Sequence, residues 1–436
     1  MRIIYAAVVA TLATAALLLA QGQPPPFTFN KVDLKLLEEC DALDQQFEKR
    51  ALVYHDPALE KYLAGLTTPL PPTAPLEHVQ WKFRILRDPA VNAFGLPNGS
   101  IYINTGLLAR AENDDQVIGR LAHEIAHVTN RHAYLFNRTL RKKVVATETI
   151  GAASVFLGGI AAPYLVESAA GNPGEMGIMG AIAGYPRSFE QEADEIAVQR
   201  MKQTGHDPTQ LIRLSLLLDD KLEPEPVSFW KHQPTIKDRV AYQKALVGLD
   251  KDPGPGTDGG YLDRMKALIL QNIQLDLDTR RLRTAVAGAQ RLAAAYPNDA
   301  TSVFWLGESY RLLGPRQERL TEKELTHDGM RASYRQATQR TEQDEGNWLA
   351  STPEGKAALE ANQKKSEELF HKAATIDLAL PEPYFGLGSL YEQQGKKDQA
   401  IAAYRRYIDL CQQPADKERA MRRVEGLMKS SAGVVK

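Results

Sequence analysis

In LAHEIAHV (residues 121–128) two histidines stand four apart, with a glutamate directly after the first. Nothing else in the chain restricts its fold as tightly. For both imidazoles to hold one ion, this segment must be a helix, and a third ligand must reach it from another element. The helix is well signalled. Asn113, followed by Asp114, Asp115 and Gln116, reads as an N-cap with acidic residues at the positive end of the helix dipole. Val117, Ile118, Leu121, Ala122, Ile125 and Ala126 then form one apolar stripe at helical spacing. On such a helix His123 and His127 project side by side as candidate zinc ligands. Glu124, one position round, is the candidate general base toward a water there. Without a third ligand, the same residues would be one turn of an ordinary amphipathic helix.

A metzincin would need glycine at position 130 and histidine at 133, where this chain has Asn130 and Ala133. A gluzincin instead takes a glutamate from a second helix. SFEQEADEIAVQRMKQTGHDP (188–208) predicts one, with Ser188 and Gln191 as a capping box and Gly205 then Pro208 at its end. Glu190, Ala193, Asp194, Ala197 and Met201 share one face, while Glu192, Glu195, Gln199 and Lys202 occupy a solvated one. Two carboxylates on a small apolar stripe are costly to bury unless a cation meets them. A single zinc ion with its histidines would do so. The expected set is therefore Glu190 as third ligand and Asp194 as the outer carboxylate that orients a ligand histidine, His123.

Composition sets the surroundings. At 436 residues the chain is long enough for two or three domains. It is 43% hydrophobic and 25% charged, and its formal net charge of −1 provides no basic field for nucleic acid. MRIIYAAVVATLATAALLLA (1–20) places Arg2 before an apolar run that ends in small residues. Residues 1–22 thus read as a signal peptide of an exported protein, periplasmic in a double-membraned bacterium. A retained membrane anchor is the alternative, because the run approaches spanning length. Cys40 and Cys411 are the only cysteines, and their pairing stays open.

QPPPFTFN (23–30) reads as a linker. DKDPGPGTDGG (250–260), too rich in Pro and Gly to propagate a helix or a sheet, reads as the main boundary between units 31–249 and 261–433. In YFGLGSLYEQQGKKDQAIAAYRRY (384–407), Tyr384, Leu387, Gly388, Tyr391, Gly395, Ala400 and Tyr404 fall in tetratricopeptide register. FWLGESYRLLG (304–314) repeats the first half of that pattern. Its second helix, EELFHKAATIDL (367–378), follows a polar insertion at 315–365, and LRTAVAGAQRLAAAYPND (282–299) is an earlier, weaker unit. Three stacked helix pairs bury a shared core and present a groove to a peptide or partner; an unrelated helical bundle is the alternative. Uncharged TIGAASVFLGGIAAPYLV (149–166) and glycine-rich GNPGEMGIMGAIAGYPR (171–187) suggest a lid or a membrane-touching hairpin over 149–187, with a membrane span as the alternative.

NAFGLPNGSIYINTGLL (92–108), HEIAHVTNRHA (123–133), SFEQEAD (188–194) and the trailing KHQPTIKDR together resemble the HtpX/BepA-like zinc metallopeptidases, over about residues 75–245. The order of leader, protease domain and repeat tail is similar to the BepA-type layout. The resemblance implies a mainly α fold: a helical gluzincin protease domain with a small β-sheet, followed by an α-α tetratricopeptide repeat domain. It implies zinc held by His123, His127 and Glu190, Glu124 as base and Asp194 behind the ligands. SIYINT (100–105) would lie in the sheet near the cleft, its edge free to pair with an extended substrate. The family commonly shows His directly before Pro and Arg five after it. Here Pro234 and Arg239 fit, while His232 stands one residue early. His232 and Arg239 are the candidates for a fourth ligand or an oxyanion stabiliser. The implied activity is zinc-dependent endoproteolysis of misfolded or stalled envelope proteins, with outer-membrane assembly partners bound through the repeats. A chaperone or assembly factor with little proteolysis is the alternative.

Overall fold

The computed structural model, described over residues 27–72, 75–143, 178, 181, 184–218, 222, 236–319, 347 and 349–432, is mainly helical with one small sheet. It divides into two compact units, the first running to Met265 and the second continuing from Lys266. In the first unit, Asn30 caps α1 (Lys31–Lys49): its Oδ1 accepts from the backbone N–H of Val32 and Asp33, and the Asp33 carboxylate accepts from Asn30 N–H. Phe27 and Phe29, in the stretch read as a linker, pack on the core beside Tyr134 and under the Arg131 guanidinium. Asp56 caps α2 (Pro57–Thr67), which carries proline in its first turn. Three strands follow, β1 (Lys82–Leu86), β2 (Ala93–Gly95) and β3 (Ser100–Asn104), and then α3 (Thr105–Arg110), α4 (Asp114–Thr129) and α5 (His132–Lys143). α6 (Arg187–Gln203), α7 (Thr209–Leu218) and α8 (Ile236–Val247) complete the described helices that build the site.

The sheet corrects one expectation. β3 is its central strand, paired in parallel with β1 and antiparallel with β2. SIYINT therefore has no open edge for an incoming chain. The edges belong to β1 and β2. β3 is central because all five of its residues are buried, as a strand covered on both faces and both sides must be. A buried carboxylate ties the sheet to α1. Asp44 accepts from Ser100 Oγ at 2.6 Å, Tyr102 OH at 2.6 Å and Asn98 Nδ2 at 3.1 Å.

The Pro/Gly stretch 250–260 lies within the first unit, where Gly256 N–H donates to Gln210 Oε1 at 3.2 Å. Tyr261, fully buried, donates its hydroxyl to the Leu108 carbonyl at 2.7 Å.

The second unit consists of paired helices. α9 (Tyr261–Asp278), inside which the boundary falls, faces α10 (Leu282–Ala295) through Ile273 and Gly288. α11 (Ala300–Leu313) pairs with α12 (Pro353–Ile376), α13 (Glu382–Gln393) with α14 (Lys397–Leu410), and α15 (Pro414–Ala432) follows. Phe370 and Tyr404 fill the shared core, and a Cβ at Gly388 would lie 2.6 Å from the Tyr404 ring, so only glycine fits there. α12 begins at Pro353 with Thr352 as its cap, so the last part of the expected insertion is helix. Asn362, within that part, donates to the carbonyls of Gly314 and Arg316. Cys40 and Cys411 are buried free thiols. Among the described residues no helix is long and apolar enough to cross a membrane. The expected leader 1–22, segment 149–166 and most of 171–187 lie outside the described residues.

Asp44→Ala would strand the three buried donors on Asn98, Ser100 and Tyr102. It should lower unfolding free energy by about 2–4 kcal/mol, read as an earlier urea midpoint at unchanged slope.

Candidate metal centre

α4 is buried along most of its length, and Asn113 caps it by accepting from Gln116 N–H at 3.0 Å. Two glycines let its neighbours come close. A Cβ at Gly95 would lie 3.0 Å from the Glu124 carbonyl, so β2 rests directly on the motif turn. A Cβ at Gly119 would meet Met201 Sδ at 3.0 Å, which is how α6 approaches α4 near enough for side chains to converge.

α6 starts one residue before the expected cap. Arg187 is already helical, Pro186 occupies the N-cap position at φ −58, and Ser188 forms no capping box. The first-turn carboxylate is used differently: Glu190 Oε1 accepts the backbone N–H of Tyr185 at 2.9 Å. The face of α6 that points inward carries Glu190, Ala193, Asp194, Ala197, Val198 and Met201.

His123, His127 and Glu190 converge, all three buried. His123 Nε2 lies 3.0 Å from His127 Nε2 and 3.4 Å from Glu190 Oε2, and His127 Nε2 lies 3.7 Å from Glu190 Oε1. Tetrahedral zinc with ligand bonds of about 2.0–2.1 Å requires ligand atoms about 3.3–3.4 Å apart, so the trio fits that ion.

Asp194 is fully partnered. It accepts from Arg239 Nε at 3.0 Å and Nη2 at 2.7 Å and from Gln243 Nε2 at 3.1 Å, and its Oδ1 lies 2.9 Å from His123 Nδ1. An outer carboxylate behind a ligand histidine would make contacts of this kind. Arg239 also places Nη1 3.5 Å from Glu190 Oε2. Its guanidinium is thus turned to the two carboxylates. His232 lies outside the described residues.

Electrostatics follow from this crowding. Burial raises the carboxyl of Glu190, yet its histidine partners and Arg239 outweigh that and hold it well below the usual range. Asp194 is likewise held low despite burial, chiefly by Arg239. Burial, reinforced by His123, drives His127 well below its ordinary value, so it stays neutral as a ligand must. Glu124 moves the other way, pushed up by burial against the pull of Arg120 and His123.

Four residues around the site escaped the sequence reading. Arg120 Nη2 pairs with Glu124 Oε1 at 2.7 Å and donates to the Ala93 carbonyl at 2.8 Å, joining motif helix to strand β2. The i, i+4 spacing of Arg120 and Glu124 was its signal. Tyr185 lies over His127 with ring centroids 4.5 Å apart. Gln243 reaches Asp194 from α8. His132 brings Nδ1 to 2.8 Å from His127 Nδ1.

Residues 57–247 match peptidase family M48, and residues 381–414 match a tetratricopeptide repeat. The chain thus carries a family M48 metallopeptidase domain ahead of a C-terminal repeat. It is 29% identical over 202 residues to the putative beta-barrel assembly-enhancing protease of Vibrio cholerae, covering 46% of this chain and 41% of that protein. With the beta-barrel assembly-enhancing protease of Escherichia coli K12 it shares 26% identity over 206 residues, 45% of this chain and 40% of the relative. The mitochondrial metalloendopeptidase OMA1 of Schizosaccharomyces pombe is 28% identical over 155 residues, 36% and 42% of the two chains. The matched part spans about two fifths of these relatives' lengths.

His127→Ala and Glu190→Ala each remove one of three converging ligand atoms. Purified wild-type chain should carry about one zinc by elemental analysis, and each variant close to none, with helical circular dichroism retained.

Proposed function

We propose that this chain, which carries a family M48 peptidase domain and a tetratricopeptide tail, is a zinc-dependent endopeptidase of the cell envelope. The observation that carries the reading is the convergence of His123, His127 and Glu190 from two helices, beside a buried glutamate that is not among the three. A zinc ion held there supplies Lewis acidity, polarising a peptide carbonyl and acidifying water.

The remaining chemistry belongs to side chains. Glu124 takes a proton from the attacking water and returns it to the leaving amine. Burial lifts its carboxyl toward the pH at which such an exchange is efficient. Arg120, anchored on the β2 backbone, pairs its charge with the Glu124 carboxylate. Asp194, itself fixed by Arg239, holds the His123 ring, and the Tyr185 N–H holds Glu190. Because Arg239 already serves two carboxylates, we read it as compensating their charge and assign it no contact with substrate.

For substrates, the proposal is exported proteins that are misfolded or stalled in assembly, cleaved in the periplasm as quality control. Support comes from the apolar leader sequence and from relatives whose names describe a beta-barrel assembly-enhancing protease. The repeat unit is proposed to bind protein substrates or outer-membrane assembly partners, as helix-pair arrays do with their grooves.

Glu124→Gln keeps the side chain's size while removing its basicity. Casein digestion by the purified chain should fall by about 10²–10⁴-fold with zinc content unchanged. Cleavage at near wild-type rate would eliminate Glu124 as the base.

A further inference from the structure

The two ligand histidines are anchored unequally. His123 leans on a carboxylate directly, with Asp194 Oδ1 at 2.9 Å from Nδ1. His127 leans on another imidazole. Its Nε2 faces the ligand cluster, and its Nδ1 lies 2.8 Å from His132 Nδ1. A neutral imidazole has one lone pair and one N–H. With the lone pair of His127 directed from Nε2 to a metal, Nδ1 must carry the proton and needs an acceptor. His132 Nδ1 is the acceptor offered. That forces the His132 proton onto Nε2, where Glu192 Oε2 stands 3.3 Å away. Glu192 is in turn held through its other oxygen by the Asn130 amide.

The surroundings are built to keep His132 there. It is wholly buried, and its ring stacks on Phe189 at 4.4 Å with an interplanar angle of 2°. Arg131, immediately before it, takes φ +59, a left-handed conformation that bulky side chains rarely adopt. This reversal turns the chain after α4 so that α5 begins with His132 facing back to His127.

We propose that His132 is a positioning residue for the metal: backed by Glu192, it sets the tautomer and ring orientation that present His127 Nε2 as a ligand. This rests on the reading of His123, His127 and Glu190 as the zinc ligands.

The test is zinc affinity of the full chain, measured by chelator competition for wild type, His132→Phe and His132→Asn. Phenylalanine keeps the ring on Phe189 but accepts no proton; asparagine restores an acceptor near the former Nδ1. His132→Phe should bind zinc about 10- to 100-fold more weakly, and His132→Asn should recover most of that loss. Long-range ¹H–¹⁵N spectra of the zinc-loaded wild type should show His127 protonated at Nδ1 with its proton shifted downfield by the hydrogen bond, a shift lost in His132→Phe. Unchanged affinity in His132→Phe overturns the proposal and leaves the ligand set standing. Equal weakening in both variants, with equal loss of thermal midpoint, marks His132 as packing alone and overturns it too. A wild-type chain that takes up no zinc removes the ligand set itself.

Discussion

The packing of α6 against α4 buries Glu190 and Asp194 together, and the rest of the site is arranged around that fact. A carboxylate removed from water without a partner costs several kcal/mol, far more than a domain can spare. Asp194 meets this by saturation, with donors from Arg239 and Gln243 and an imidazole on its remaining side. Glu190 has the N–H of Tyr185, the two histidines and the fringe of one guanidinium. The proposed zinc ion would complete its environment, which would give a physical sense to three candidate ligand atoms gathered where apolar residues would otherwise pack.

The same crowding separates the roles of three acids that lie close in space. Glu190 and Asp194 are held ionised by cationic neighbours, whereas Glu124 is pushed toward protonation by its burial. Under the proposed roles, chemically similar side chains are thereby divided into ligand, anchor and base. The sheet contributes through contact: β2 lies on the motif turn at Gly95, and Arg120 reaches from that turn to the β2 backbone.

How much of this was legible in the sequence depended on how local each cause was. The cap and apolar stripe of α4 and the inward face of α6 are periodic features, and the helices follow them. Glu190 and Asp194 stood out because acids on a small apolar stripe demand a partner. The order of the strands was not legible, since whether SIYINT is edge or centre depends on pairing with distant segments. Nor was the shell around His132. Phe189 and Glu192 lie more than fifty residues away, and only tertiary packing brings them to one imidazole. The start of α12 was hidden by composition, because a helix with an open polar face reads like a solvated loop.

Glu190, Glu192 and Asp194 occupy alternate positions of one helix, and each ends at a different point of the same histidine constellation. Since each residue turns a helix by about 100°, inserting or deleting one amino acid between them would swing the group out of alignment at once. Restoring the alignment would then require new acids at the shifted positions. In this five-residue word spacing matters as much as identity: exchanging Glu190 would remove a candidate ligand atom, and changing the length would misalign the acids that remain.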